Sequence, residues 1–184
     1  MAYTDKNKLR VVYGDYTLGV HGEGFDYIFS YSQGGLESIV KKGYEWLYRC
    51  PKPTFWRALT DNDRGSRFHI KSGSWLASDM FIDCKKTEVI MDGELQKQYA
   101  PDNNSYGGDV AAGEIIVKYT YETVGNPITT VIVSYTIDVI GNIKVDVDYT
   151  GVKGLPELPV FGMRFIMPTL ADKYMYKGLS GETY

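Results

Sequence analysis

The sequence is poor in the residues that most often carry metal or redox chemistry. It has only two cysteines, Cys50 and Cys84, and two histidines, His21 and His69. The cysteines do not share a Cys-x-x-Cys spacing and have no histidine pair beside them, so the pattern gives neither a zinc site nor a redox motif. We therefore expect two reduced structural thiols, and no metal ligands or cofactor in this chain.

Excess positive charge and long apolar runs are also missing. The formal net charge is -3 and the pI is near 5.4, which leaves no basic stripe for a phosphate backbone and excludes nucleic-acid binding. No run approaches the roughly 18 apolar residues of a membrane span. Residues 1–8 are polar where a signal peptide carries an apolar stretch. We expect no membrane contact and a cytoplasmic location.

Alternation of apolar and polar residues is abundant instead. Residues 113–150 predict a three-strand antiparallel meander with turns at 125–127 and 141–142. With 43% hydrophobic residues among 184, the chain is long enough for one core. We predict a single all-β domain over residues 1–184, a large antiparallel β-sandwich. Five more short strands are predicted at residues 9–13, 17–20, 27–31, 36–40 and 45–48.

Two stretches break this alternation. In residues 70–80 the apolar positions are irregular and Ser72 is available as an N-cap, which predicts a short helix or an irregular crossing. Residues 101–113 are polar and rich in glycine and asparagine, which predicts a mobile loop.

Residues 55–65 concentrate aromatic, guanidinium and carboxylate groups between a proline-containing entry and a glycine exit. This density exceeds what a strand or a linker needs, so we predict a loop with a function. Its candidate structural or interface residues are Phe55, Trp56, Arg57, Asp61, Asn62, Asp63 and Arg64.

Asp61 and Asp63 permit three interpretations. Asx side chains hold turns by bonding nearby backbone groups, and Arg57 or Arg64 would be their charge-assisted partner. This structural role is favoured. The Asp-x-Asp spacing also begins like a calcium loop, but the later ligands and the terminal Glu are missing. A direct role beside a substrate is the third interpretation.

Phe55, Trp56 and Arg57 have two interpretations of equal weight. Aromatic residues and arginine are the types that most often anchor protein interfaces. Large aromatics are equally typical of core packing.

Residues 57–65 resemble the Arg-Ala-x-x-Asp-Asn-Asp-x-Gly motif of the small-chain domain of β-galactosidases in glycoside hydrolase family 2. The resemblance implies a twisted supersandwich like that of galactose mutarotases. Because Met1 stands about ten residues before the first similar block, it also implies the separate small subunit of lactic-acid bacteria. Further similar blocks are residues 13–15, 29–31, 34–38, 45–49 and 154–165.

The resemblance assigns no catalytic residue to this chain. It implies that the catalytic glutamates, with Mg²⁺ and a monovalent cation, belong to the (β/α)₈ barrel of a large subunit. The complex would hydrolyse terminal β-galactosides such as lactose, with the small chain helping to complete the sugar site, and the isolated chain would be inactive. Residues 176–184 resemble a loop from the middle of the small-chain domain. We therefore expect the N-terminal part of that domain, without the later segment that reaches the sugar.

Two other functions stay open. A stand-alone aldose 1-epimerase needs a general acid, normally histidine, and a carboxylate base. Here His21 lies in a glycine-rich segment that predicts a solvated turn, and His69 precedes the irregular stretch. A carbohydrate-binding module would use exposed aromatics such as Trp46, Trp56 and Trp75, which also suit core packing. Unpaired sheet edges would further favour self-association of the isolated chain.

Overall fold

The computed structural model describes residues 7–96, 110–125, 127–170, 172–173, 175 and 177–178. Within these residues the chain forms thirteen strands and two short α-helices, α1 (Asp61–Gly65) and α2 (Phe68–Lys71). A 3₁₀ turn at Gly73–Trp75 follows α2. The strands are β1 (Leu9–Tyr13), β2 (Thr17–Gly22), β3 (Phe25–Ser30), β4 (Gly35–Lys41), β5 (Tyr44–Glu45), β6 (Arg49–Thr54), β7 (Asp83–Met91), β8 (Glu94–Leu95), β9 (Val110–Ala112), β10 (Glu114–Glu122), β11 (Thr130–Asp138), β12 (Ile143–Thr150) and β13 (Gly162–Ile166).

Two antiparallel sheets dominate the fold. The first has the order β5-β4-β3-β2-β1-β9, and the second has the order β12-β11-β10-β7-β8. The predicted meander over residues 113–150 is confirmed as β10, β11 and β12, which pair in sequence. A third sheet contains only β6 and β13.

The two large sheets pack face to face around an aromatic core. Phe29 of the first sheet contacts Tyr135 of the second edge-on, with ring centroids 5.7 Å apart. Tyr27 donates a hydrogen bond of 2.7 Å to the carbonyl of Gly141, which precedes β12. Because β10 and β11 alternate strictly between buried and half-buried residues, one face of each closes the core. The predicted antiparallel β-sandwich is confirmed.

The turn into β4 brings the backbone close to two cysteine side chains. Gly34 has φ +59° and Gly35 has φ +150°, so both lie where glycine is favoured. A Cβ on Gly34 would stand 2.4 Å from Cys84 Cβ, and one on Gly35 would stand 2.3 Å from Cys50 Sγ. Both cysteines are free thiols, and burial raises the pKa of Cys50 to about 11.

Several boundaries differ from the prediction. The strand expected at residues 45–48 is wrong, because β5 ends at Glu45 and β6 begins at Arg49. Pro51 and Pro53 fit within β6 because, among the described residues, this strand pairs only with β13, and an edge strand tolerates a missing N–H. Residues 101–109 of the predicted loop lie outside the described residues. Residues 110–112 of it form strand β9, which pairs with β1.

The irregular stretch at residues 70–80 is confirmed as the end of α2, a 3₁₀ turn and a series of turns. The predicted capping role of Ser72 is wrong, because its side chain makes no capping bond there. Its hydroxyl instead donates to the carbonyl of Glu157, 2.7 Å away. Among the described residues, no helix has both the length and the apolar character needed to cross a membrane.

Candidate functional site

Residues 55–65 leave β6 and enter a short helix, so the predicted loop is wrong in its second half. Thr60 is the N-cap of α1 and accepts a bond of 3.2 Å from the backbone N–H of Asp63. The carboxylate of Asp63 accepts one of 2.7 Å from the Thr60 N–H in return. This reciprocal capping box satisfies two N–H groups that a helix start leaves free. It explains why a Thr-Asp-Asn-Asp run begins a helix here.

The carboxylates of this segment are paired to its two arginines. Arg57 holds Asp63 through two bonds, from Nη1 at 2.6 Å and from Nη2 at 3.1 Å. Arg64 bonds Asp61 at 2.8 Å on the exposed face of α1. Both halves of the predicted arginine pairing are therefore confirmed. Asn62 is exposed, and its carbonyl accepts from the Ser66 N–H at 2.9 Å.

The electrostatics of Asp63 argue against proton transfer. The bonds from Arg57, then that from the Thr60 N–H, hold the pKa of Asp63 well below its usual range. A general acid must carry a proton near neutral pH, so Asp63 is unsuited to that role. Asp61 has a side chain 98% exposed, far from a desolvated catalytic environment. Among the described residues, no group of three or more His, Cys, Asp or Glu side chains could hold a metal ion.

Three side chains from residues 57–75 donate to backbone carbonyls of residues 156–159. These carbonyls belong to residues 154–165, one of the blocks that resemble the small-chain family. The bonds run from Arg57 Nε to Pro159 (3.1 Å), from Ser72 Oγ to Glu157 (2.7 Å) and from Trp75 Nε1 to Pro156 (3.0 Å). Because residues 156–159 are not part of a sheet, these bonds satisfy carbonyls that strand pairing leaves open. Two segments whose bonded residues are 81 to 102 positions apart thus form one unit.

An aromatic cluster lies beneath this unit. Phe55 stacks on Trp75 at 5.5 Å, and Phe55 and Trp75 are 0% and 2% exposed. Phe55 is therefore a core residue and not an interface anchor, whereas Trp56 is half-buried against the core. Arg57 keeps 39% of its side chain exposed. The members of the aromatic cluster are Phe55, Trp75, Tyr149 and Phe161, with ring centroids 5.0 to 6.5 Å apart.

The other candidates are scattered. Trp75 is buried and offers no face to a sugar, while Trp46 is 44% exposed and meets Tyr44 edge-on at 5.1 Å. The solvated turn predicted at His21 is wrong: the residue lies in β2 and its Nδ1 is 2.6 Å from Asp26. His69 lies in α2 with its Nδ1 buried and without a partner among the described residues.

Sequence reasoning missed the partners of residues 55–65. The sequence placed Tyr149 only in a predicted strand and Phe161 only in the similar block at residues 154–165. No local signal places either residue against Phe55. The apolar positions of β12 are half-buried, and the Tyr149 ring on this strand contacts Phe55 and Phe161.

The chain is an antiparallel β-sandwich domain. The carboxylates of its Asp-Asn-Asp run are bonded to Arg57 and Arg64. Residues 21–184 match the family described as β-galactosidase small chain. A β-galactosidase small subunit from Latilactobacillus sakei is 57% identical over the whole chain. A β-galactosidase from Clostridium acetobutylicum is 34% identical over 98% of the chain, which covers 18% of that protein. The chain belongs to the β-galactosidase small chain family. It spans 58% of the length of the L. sakei relative.

Proposed function

We propose that this chain is the small-chain part of a two-subunit β-galactosidase that hydrolyses terminal β-galactosides such as lactose. The observation that carries the proposal is the similarity, over the whole of this chain, to a relative named as a small subunit. Longer relatives support it, because this chain matches only 18% and 15% of the β-galactosidases from C. acetobutylicum and Streptococcus thermophilus.

Catalysis in this proposal belongs to the partner, a large subunit. A retaining glycosidase needs two carboxyl groups about 5 to 5.5 Å apart, one of which carries a proton. Asp63 is tied to Arg57 and kept ionised, and Asp61 stands in solvent beside Arg64. The large subunit would also hold Mg²⁺ and a monovalent cation, and the small chain would help to complete the sugar site.

The exposed side of residues 56–64 is the proposed contact with the large subunit. Trp56 and Arg57 are half-buried, and Asn62 and Arg64 are exposed. The bonds to residues 156–159 hold this side in place, so little conformational entropy would be lost when a partner binds. An aromatic and two guanidinium groups on a fixed surface suit an interface anchor.

Hydrolysis of a chromogenic β-galactoside tests the proposal, with the chain alone, the cognate large subunit alone, and the two mixed. We expect activity only, or mainly, in the mixture. Activity of the chain alone would overturn the division of labour and make Asp61, Asp63 and Glu157 the carboxylates to examine. An inactive mixture beside an active mixture made with a longer small subunit would show that these 184 residues are insufficient.

A matched pair of variants tests the contact surface. Arg64 forms an exposed ion pair with Asp61, and Lys144 forms one with Asp146 on β12. Exposed pairs of this kind contribute little to stability, so Arg64→Ala and Lys144→Ala should both fold normally. We expect Arg64→Ala to weaken association with the large subunit and Lys144→Ala to leave it unchanged. Equal association of both variants would remove Arg64 from the interface.

A further inference from the structure

Strand β12 forms a long edge of the second large sheet. Among the described residues it pairs only with β11, along all eight of its positions. The other outer strands of the two large sheets, β5, β8 and β9, have only two or three residues each. Short edges and prolines keep sheet edges from pairing with other chains. Because β12 is long and contains no proline, it is the outer strand best suited to accept another strand.

The apolar side chains of β12 are incompletely covered. Val145 and Val147 are half-buried, whereas Tyr135 and Val133, which lie opposite them on β11, are 0% exposed. Opposite residues of an antiparallel pair share one face of the sheet, so both strands turn these side chains toward the core. A further strand on the free side of β12 would remove more of this apolar surface from water.

The charges on the outer face of β12 are arranged to complement a second copy. Lys144 and Asp146 stand two residues apart on that face, with Nζ and the carboxylate 2.9 Å apart. In an antiparallel pair of identical strands centred on Val145, Lys144 of each copy lies opposite Asp146 of the other. Asp148 then lies opposite the uncharged Asn142. Opposite charges that face each other across two strands stabilise the pair.

Charge disfavours the neighbouring registers. Centred on Lys144, the pair would set that residue against its own copy. Centred on Asp146, it would do the same to a carboxylate, although Lys144 would then meet Asp148. Centred on Val147, it would set Asp146 against Asp148. Like charges directly opposite each other are destabilising, and of these four registers the one centred on Val145 contains no such pair.

We propose that a second copy of this chain pairs with β12 in this antiparallel, two-fold register centred on Val145. The two five-stranded sheets then become one continuous sheet across the dimer. Such an interface is isologous, because the same strand serves on both sides. The proposal concerns the chain alone and does not depend on a catalytic partner.

Sedimentation velocity of the purified chain tests the proposal. We expect a monomer–dimer equilibrium with a Kd of about 10 to 100 µM, since few residues pair. Lys144→Asp and Asp146→Lys each put like charges opposite each other at two places, and each should raise the Kd at least about tenfold. Both side chains are exposed, so both variants should fold normally. Glu94→Lys is the control, because Glu94 is exposed on β8 at the opposite edge of the same sheet.

A mixture of the two variants gives the sharper result. Lys144→Asp carries carboxylates at both positions and Asp146→Lys carries ammonium groups at both, so a mixed dimer again sets opposite charges across both contacts. We expect the equimolar mixture to dimerise with the wild-type Kd or a lower one, while each variant alone stays monomeric. Repair of the ion pair within one chain cannot explain such a recovery, because neither variant contains that pair.

Three results would overturn the proposal. A chain that stays monomeric at about 300 µM, above the expected Kd, would leave the β12 edge for a strand of another protein. A Kd that the two single variants leave unchanged would put the interface elsewhere. A mixture that does not recover dimerisation would exclude this register. No large subunit or enzyme activity enters these measurements, so failure of the two-subunit proposal cannot imitate them.

The same equilibrium sets the conditions for the large-subunit assay. Below about 1 µM the chain should be monomeric, given the expected Kd. The association of Lys144→Ala with the large subunit is therefore compared with that of Arg64→Ala in this range, where self-pairing does not contribute.

Discussion

The interface between the two large sheets and the unit around residues 55–75 are held together by different means. Between the sheets, β10 and β11 bury every second residue, and nearly all of those residues are hydrophobic. Around residues 55–75, short irregular elements are tied to residues 156–159 by side-chain bonds to carbonyls. Tyrosine hydroxyls also bond carbonyls between the sheets, from Tyr27 to Gly141 and from Tyr121 to Gly34. The first region nevertheless depends mainly on apolar area removed from water, and the second depends more on particular donors and acceptors.

This difference has a consequence for mutation. In a close-packed sandwich core even one lost methylene group is felt, and its cost grows with the volume of the cavity left behind. A unit built from few directional bonds and one aromatic cluster depends on single residues. In the unit around residues 55–75, the loss of unfolding free energy on substitution should therefore depend more on pH and on the bonded partner than it does between the sheets.

The largest effect is expected at Phe55, where the two regions meet. Phe55→Ala removes a fully buried ring from the aromatic cluster and should lower the free energy of unfolding by about 3 to 5 kcal/mol. Urea unfolding followed by tryptophan fluorescence measures it, because Trp75 stacks on this ring. Phe55→Leu is the matched control and should cost less than half as much. Equal losses would mean that the ring contacts, which leucine cannot make, and not apolar burial alone explain the role of Phe55.

The next effect is expected at the turn into β4. Gly35→Ala puts a Cβ 2.3 Å from Cys50 Sγ at a backbone φ of +150°. Strain and overpacking together should cost about 2 to 4 kcal/mol. Cys50→Ala removes the sulfur, so the double variant should recover the overpacking part but not the backbone strain.

A thermodynamic cycle of the wild type, both single variants and the double variant measures that coupling. Additive effects would show that Cys50 Sγ moves aside without cost. Gly24→Ala serves as the comparison, because Gly24 has φ +77° but nothing within 4 Å of its added Cβ. It isolates the contribution of backbone strain.

The sequence predicts these two regions unequally. Alternation at residues 113–150 places three strands correctly, because a period of two follows directly from strand geometry and burial on one face. Nothing local indicates that Trp75 and Phe161 flank Phe55, because contacts between distant segments leave no periodic pattern. The Asp-Asn-Asp run predicted pairing with arginine, yet the capping role of Thr60 was missed because a run of Asx residues also suits a turn. Strand β6 was not predicted, because proline residues such as Pro51 and Pro53 are uncommon within strands.

A smaller, pH-dependent effect is expected at Asp63. Its folded pKa lies below the ordinary value of 3.8, so its ion pair with Arg57 stabilises the folded chain fully above that value. That stability is lost as the pH falls through the lower folded pKa. Asp63→Asn should therefore lower the melting temperature at pH 7 and narrow the gap to the wild type as the pH falls below about 4.

Melting curves between pH 7 and pH 2.5 check this dependence. Asp61→Asn is the control, because Asp61 pairs with Arg64 in full solvent contact and should leave the curve almost unchanged. A gap between wild type and Asp63→Asn that stays constant over the whole range would show that the capping bonds, and not the charge, provide the contribution of Asp63.

The smallest effect separates two tyrosines of the sheet interface. Tyr119 donates to the carbonyl of Ser30 at 3.1 Å, whereas the buried Tyr135 hydroxyl has no partner among the described residues. Tyr119→Phe should cost about 1 kcal/mol, and Tyr135→Phe should be neutral or slightly stabilising, because an unpaired buried hydroxyl is itself unfavourable. Denaturant unfolding of both variants measures the difference. A loss above about 1 kcal/mol in Tyr135→Phe would mean that its hydroxyl is bonded in solution. The sheet interface would then have one directional bond more than those that Tyr27, Tyr119 and Tyr121 donate across it.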